Sequence, residues 1–394
     1  MLIGYDAKRI VRNGTGLGSY GRNLINSLAH VAGPEDRLLL YAPDKGRAEL
    51  REQVEPAENV VFRFPDRAMP RALWRTCGLA RQLKREGVDV FHGLSGELPI
   101  GLHRTGIKSV VTIHDLIFLR HPEFYKRIDA MLYAWKFRQT IKEADRIIAI
   151  SQCTKRDILH FAPVDADKIS LVYQSCGTRF RMPVSAPAKH AVRERYALPA
   201  RYIVSVGSIE ERKNILLAVK ALAQLPQDIS LVVVGRPTPY SAMVARYAGE
   251  HGLSHRLLML HHVGNDDLPA IYQMGEVCVY PSRYEGFGLP VIEAIQSGLP
   301  VVACTGSCLE EAGGEDSLYV DPDDSEALAA AVRRLLIGAP EREGRIAASQ
   351  RYVQRFEEGN VAQQIYHIYS EISGCATRRT GASEKARPSR PEKS

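Results

Sequence analysis

Short apolar runs recur along the chain, each separated from the next by a polar or amphipathic stretch. LIGY (2–5), RLLLYA (37–42), VVFRF (60–64), DVFHG (89–93), SVVTIH (109–114), RIIAIS (146–151) and KISLVYQS (168–175) form a first series. RYIVSVGS (201–208), ISLVVVG (229–235), RLLMLHHV (256–263), VCVYPS (277–282), LPVVAC (299–304) and SLYVD (317–321) form a second. Between them lie segments with helical spacing of apolar residues, such as SYGRNLINSLAHVA, ALWRTCGLARQLKREG and NILLAVKALAQL. Strand-length runs alternating with helices predict α/β architecture with parallel sheets covered on both faces. The rhythm breaks once, at TRFRMPVSAPAKH, where prolines and basic residues predict a linker.

The predicted organisation is therefore two Rossmann-like domains facing a central cleft. The first spans 1–178, a linker 179–200 and the second 201–358. A last helix over 359–373 precedes a polar, basic tail, 374–394, whose composition predicts disorder. In such sheets ligands bind beyond the carboxyl ends of the strands, so the turns at those ends are where chemistry is expected.

Charge sharpens the division. Residues 1–178 carry 27 Lys and Arg against 20 Asp and Glu, whereas 201–372 carry 14 against 22. A basic half joined to an acidic half predicts different partners for the two. The segments RALWRTCGLARQLKR and YKRIDAMLYAWKFRQ, with Trp74, Tyr125, Tyr133, Trp135 and Phe137, suit peripheral contact with an anionic membrane surface. No nucleic-acid reader motif is present. The seven scattered cysteines read as reduced thiols of a cytoplasmic protein, and Cys304 and Cys308 read as packing residues. The opening MLIGYDAKRI has no apolar leader core, and no run is long enough to span a membrane.

Four turns could carry chemistry. In VGSIEERKNI (206–215) a strand ends at a glycine, Gly207, and Arg212 and Lys213 follow, with Asn214 placed to cap the next helix. A helix start with two cations suits a diphosphate. In YEGFGLPVIE (284–293), Glu285 sits on a loop and Glu293 in the first turn of a helix opened by Pro290 and stopped by Gly298. A carboxylate can accept two hydroxyls at once, which sugars and riboses present in pairs. GTGLGSYG (14–21) matches a dinucleotide glycine pattern literally, with Asp44 as a conceivable ribose acid. Its glycines begin too far after the strand, so a flexible loop at the cleft mouth is the better reading. VVTIHDL (110–116) places His114 and Asp115 at the same sheet edge, and His92 is a weaker candidate.

These residues resemble the GT-B-fold, retaining glycosyltransferases of family 4, over residues 1 to about 372. The acid pair in E-GFGLPVI-E followed by AIQSGLPVVA carries the resemblance most specifically. TGLGSYGRNL, TIHDL, ADRIIAISQCTKRDIL, VGSIEERKN and LVVVG support it. The resemblance implies that Glu285 holds donor-hexose hydroxyls and that Gly286, Phe287, Gly288 and Leu289 contact the sugar and its phosphate. It implies that Glu293 holds the ribose, that Arg212 and Lys213 neutralise the leaving diphosphate, and that His114 contacts the sugar near the reacting carbon. Gly16 and Gly18 would form a loop closing over the diphosphate, and the base would lie near Gly235 and Val263. Many members carry an arginine directly after the glycine matched by Gly207; Ser208 stands there, and Arg212 takes up that charge. The reaction expected needs no metal or cofactor, and the Asp165/Asp167 and Asp321/Asp323 pairs read as loop acids. SIEERKN, PSRYEGFGLP and TGSCLEEAGG resemble bacterial surface-polysaccharide mannosyltransferases, implying GDP-mannose as donor and a lipid-diphosphate-linked glycan as acceptor. A UDP-sugar donor, or a nucleotide-sugar epimerase on the same architecture, is the alternative.

Overall fold

Among the described residues thirteen strands form where the apolar runs predict them, and all of them pair in parallel. A computed structural model describes residues 1–66 and 69–374 of the chain. Its first sheet contains β1 (Leu2–Asp6), β2 (Arg37–Tyr41), β3 (Val60–Arg63), β4 (Val90–Gly93), β5 (Lys108–Ile113), β6 (Arg146–Ala149) and β7 (Ile169–Leu171). The second contains β8 (Arg201–Val206), β9 (Ile229–Val234), β10 (Leu257–Leu260), β11 (Val277–Tyr280), β12 (Val301–Cys304) and β13 (Leu318–Val320). The runs are continuous rather than alternating because both faces of each sheet are covered; β4, β11 and β12 are buried at every position.

The spatial orders are β3-β2-β1-β4-β5-β6-β7 and β10-β9-β8-β11-β12-β13. In each sheet the chain first winds one way and then reverses. The reversal falls between β1 and β4 in the first sheet and between β8 and β11 in the second. Helices leave the sheet on opposite faces at such a point and open a crevice at the strand ends.

Three local expectations change. The stretch 179–200 is not bare chain: it contains the helix Ala186–Arg195, capped by Ser185 and packed on the helix Leu268–Met274, with Val192 in the core of the second domain. Its proline lies in the helix's first turn, where no backbone N–H is needed, so it does not break the element. Gly16 and Gly18 do not form a loop, because the helix Gly16–Val31 begins at Gly16. Asn13 fixes the preceding turn by accepting from the Thr15 backbone and hydroxyl, and a Cβ on Gly18 would lie 1.8 Å from the Asn13 carbonyl. Trp74, read as a surface aromatic, is buried in a π-helical turn, Trp74–Gly78, and donates to Gln82; Phe137 is buried as well.

The last helix, Glu358–Ile372, returns to the first domain and packs along Gly16–Val31. Its Tyr369 hydroxyl meets His92 Nδ1 at 2.6 Å, while His92 Nε2 meets the Thr112 hydroxyl at 2.8 Å. His92 is thus a buried pin for this helix; burial holds its imidazole neutral, down to about 3. The basic tail beyond Gly374 lies outside the described residues. Among the described residues no helix is long and apolar enough to cross a membrane.

Candidate active site

The loop after β8 and the loop after β11 are neighbours because those strands are neighbours across the reversal point. This brings Arg212 and Lys213 onto Glu285. Lys213 Nζ lies 2.6 Å and an Arg212 guanidinium nitrogen 2.9 Å from the same carboxylate oxygen. Arg212 also donates to the Tyr284 carbonyl at 2.6 Å and pairs with Glu210 at 2.8 Å; Lys213 donates to the Tyr280 hydroxyl at 2.7 Å. Burial alone would raise the Glu285 carboxyl, but the two cations outweigh it and bring it down to about 2. Burial would likewise discharge Lys213 and Arg212, and Glu285 reverses this, so both stay firmly charged.

Gly207 and Gly235 let the ends of β8 and β9 touch. A Cβ on Gly235 would lie 1.8 Å from the Gly207 carbonyl, and Gly207 itself adopts φ +150°. Beside them His261 Nδ1 donates to the Gly235 carbonyl at 2.8 Å, His262 takes a left-handed φ of +64°, and the side chain of Val263 is partly buried. Asn214 occupies the start of the helix Ile215–Leu222, yet its side chain does not cap it. The amide donates instead to the Pro322 carbonyl, and the residue is left-handed with φ +55°.

The helix Leu289–Gln296 starts at Gly288, which is left-handed with φ +101°, and Pro290 lies in its first turn. Glu293 is one turn further in than expected. It accepts from the Tyr272 hydroxyl at 3.2 Å. Burial raises its carboxyl from an ordinary value of 4.5 to about 7, against the pull of Arg179 and the Tyr272 hydrogen bond. A raised folded-state value means that its stabilising contribution is complete below pH 4.5 and lost as pH rises through about 7. Glu293→Gln is therefore expected to melt like the wild type at pH 4.5 and to be more stable at pH 8, by about 1–2 kcal/mol. Thermal denaturation of both proteins at the two pH values checks this; equal melting temperatures at pH 8 would contradict it.

Across the cleft, β5 delivers His114 and Asp115. His114 Nε2 donates to the Leu94 carbonyl at 2.8 Å, so Nδ1 is the acceptor for the Gln174 amide, also at 2.8 Å. Burial lowers the ring to about 4 and it is neutral. Tyr20 packs edge-on against it at 4.8 Å. A ligand reaches His114 through the ring's carbon edge or by displacing one of these bonds. Asp115 accepts from the Ile117 backbone at 3.2 Å, and its carboxyl is raised by burial within the field of Arg212, Lys213 and Glu285.

The turn Gly286–Leu289 joins the two sides. A Cβ on Gly286 would lie 2.1 Å from the His114 carbonyl, so the loops of the two domains touch there through backbone. The Ser151 hydroxyl donates to the Gly286 carbonyl at 2.7 Å and the Cys308 thiol to the Glu285 carbonyl at 3.1 Å. Phe287 turns into the core between Tyr173 and Phe356, at 5.5 and 5.2 Å, so what it can offer a ligand is its backbone. Glu311 of the second domain receives the backbone N–H groups of Gln152 and Cys153, at 2.6 and 2.8 Å, at the start of the helix Gln152–Phe161 in the first. The segment VVTIHDL places Asp115 beside His114 at this edge without giving it a role; Ser151 and Glu311 carry no local signal, because their partners lie in the other domain. Gly16 stands open at the start of its helix, with nothing within 4 Å of a Cβ placed on it. Of the loop acids, Asp323 pairs with Arg283 at 2.5 Å.

The sequence model described as Glycosyl transferases group 1 matches residues 190–351, and that of Glycosyltransferase Family 4 matches residues 15–175. O-antigen chain mannosyltransferase B of Escherichia coli is 28% identical over 293 residues, 71% of this chain and 74% of that protein. The serotype-specific mannosyltransferase WbdA of Escherichia coli is 27% identical over 260 residues, 63% of this chain but only 32% of that longer protein. The crystal structure of Anabaena HepE in complex with UDP and glucose superposes with a TM-score of 0.73 at 17% identity, covering 94% of this chain and 99% of that one. The two parallel sheets, the cleft between them and the two matched family models place the chain among the GT-B glycosyltransferases of group 1 and family 4, the hexose-transferring enzymes to which it belongs.

Proposed function

We propose that this enzyme transfers mannose from GDP-mannose, with retention at the anomeric carbon, to a growing lipid-linked glycan of a surface polysaccharide, working in the cytoplasm at the inner membrane face. The observation that carries the reading is Glu285 held between Arg212 and Lys213 at the reversal point of the second sheet. A carboxylate ionised under all working conditions accepts sugar hydroxyls. The cations beside it compensate the charge that appears on a departing diphosphate, and they do so without reorganisation because Glu285 already positions them. The bond from the anomeric carbon to the diphosphate breaks as the bond to the acceptor oxygen forms on the same face. The acceptor proton passes to the departing phosphate oxygen. Arg212 and Lys213 take the place of a metal ion in this scheme. Glu293 accepts from the ribose hydroxyls, and the backbone at Gly235 and Val263 faces the base. The O-antigen mannosyltransferases among the relatives favour mannose; a UDP-sugar donor is the second reading, favoured by a structural neighbour bound to UDP and glucose.

A thermal-shift panel in EDTA with GDP, GDP-mannose, UDP, UDP-glucose and NAD tests this. A ligand bound only by the folded protein raises its melting temperature. GDP and GDP-mannose are expected to do so, and Glu293→Ala to abolish the shift. A response to UDP compounds alone would transfer the proposal to a UDP-sugar, and a response to NAD alone, or one that requires added metal, would overturn it.

A further inference from the structure

The first sheet has its own reversal point, between β1 and β4, and a cavity of about 410 Å³ opens at it. Asp6 ends β1, Lys8 follows it, and Glu97 comes from the loop after β4. Arg75 enters from the side and bridges the two acids, 2.6 Å from Asp6 and 2.9 Å from Glu97; Lys136 lies 3.0 Å from Glu97. Both acids are thereby engaged. Two donors are not. Among the described residues Lys8 has no ion-pair partner, and burial and the nearby Arg75 charge lower its ammonium. Among the same residues the Nε–H of Arg75 is buried without an acceptor. An anion with several acceptor oxygens would satisfy both donors and relieve the repulsion between Lys8 and Arg75.

The far wall of this cavity includes Trp135, from the helix Arg127–Glu143. Along that helix Ile128, Met131, Leu132 and Trp135 are spaced to form one stripe, and they are 80%, 73%, 46% and 47% exposed. An amphipathic helix ordinarily turns such a stripe inward. Here the stripe faces solvent, Lys126, Arg127 and Arg138 lie exposed beside it, and Trp135 joins it to the cavity.

We propose that the cavity and the stripe are one binding site for a lipid phosphate, with the phosphoryl group between Lys8 and Arg75 and the hydrocarbon along Ile128, Met131, Leu132 and Trp135. The proposal rests on the reading of the chain as a transferase with a lipid-linked acceptor and locates that acceptor. A second cavity of about 230 Å³ shares Glu97 and Lys136 with the first and leads to His114 and Asp115. A sugar attached to the phosphate would pass through it to the cleft.

The test measures binding of farnesyl phosphate, farnesol and inorganic phosphate by calorimetry. Farnesyl phosphate is expected to bind the wild type more tightly than either fragment does. Lys8→Gln and, separately, the pair Ile128→Ser and Met131→Ser are each expected to weaken it about tenfold or more. All three side chains are at least partly exposed, so the variants should fold, and their nucleotide-sugar thermal shift should persist. Lys213→Gln should do the reverse, removing that shift and leaving farnesyl phosphate binding intact. Binding indifferent to Lys8→Gln would overturn the proposal, as would binding lost in Lys213→Gln, which would place the phosphate in the donor cleft. A stripe variant that fails to sediment with phosphatidylglycerol vesicles but still binds farnesyl phosphate would make the stripe a membrane contact and equally overturn it. Loss of the nucleotide shift in the wild type would instead strike the transferase reading itself.

Discussion

Glu285→Gln is expected to lower turnover by about two to three orders of magnitude while nucleotide diphosphate binding is kept or tightened. The carboxylate is the only acid within ion-pair distance of Lys213 among the described residues, and it shares Arg212 with Glu210. Removing its charge frees both cations for the diphosphate, which favours binding. The same change removes the acceptor for the donor hexose and lets the cations relax from their set positions, which takes away electrostatic stabilisation at the step where charge develops. The fold should lose about 2–4 kcal/mol as well, because two buried cations are left facing each other. Steady-state transfer rates and nucleotide titration on the same preparation separate the effects. Parallel loss of binding and turnover would mean that Glu285 acts only in holding the loop.

Gly286→Ala is expected to be nearly as damaging for a purely steric reason. Its added Cβ would start 2.1 Å from the His114 carbonyl, where real contacts are not found below 3.0 Å, so the two backbones must separate by about 1 Å. Neither group is the end of a flexible side chain, and the gap falls at the contact between the domains. The Ser151–Gly286 hydrogen bond and the Glu311 contacts with Gln152 and Cys153 would be stretched with it. A misplacement of this size at the reacting centre costs about a hundredfold in rate. Transfer rate and the radius of gyration from solution scattering are the measurements. A fully active variant with unchanged dimensions would show that the cleft works in a more open arrangement than this one.

The strands of the described residues, their parallel architecture and the positions of the reactive turns are all legible in the amino-acid sequence. Each of these depends on local burial: a strand covered on both faces must be a continuous apolar run, and a turn at a sheet edge needs glycine, proline and polar side chains. Pro290 and Gly298 bound their helix for the same local reason, and Arg212, Lys213, Glu285 and Glu293 could be placed at strand ends from their own segments. Local pattern erred where a segment's neighbours decide its state. The prolines of 179–200 hid a helix that closes on Leu268–Met274, and Trp74 is drawn inward by the first domain's core.

Which of these turns meet depends on how the sheets wind and how the domains dock. Arg212 and Glu285 are more than seventy residues apart, and they touch because the winding of the second sheet reverses between β8 and β11. Gly286 meets His114, and Glu311 the start of the helix Gln152–Phe161, across two separately formed domains. RALWRTCGLARQLKR and YKRIDAMLYAWKFRQ both read as surface segments, yet the stripe Ile128–Trp135 faces outward while Trp74 and Phe137 are buried, because the same spacing serves either direction. Periodicity records that a residue has an apolar or polar side to face; which surface it faces is settled by contacts between distant segments, whose partners leave no mark on one another's local sequence.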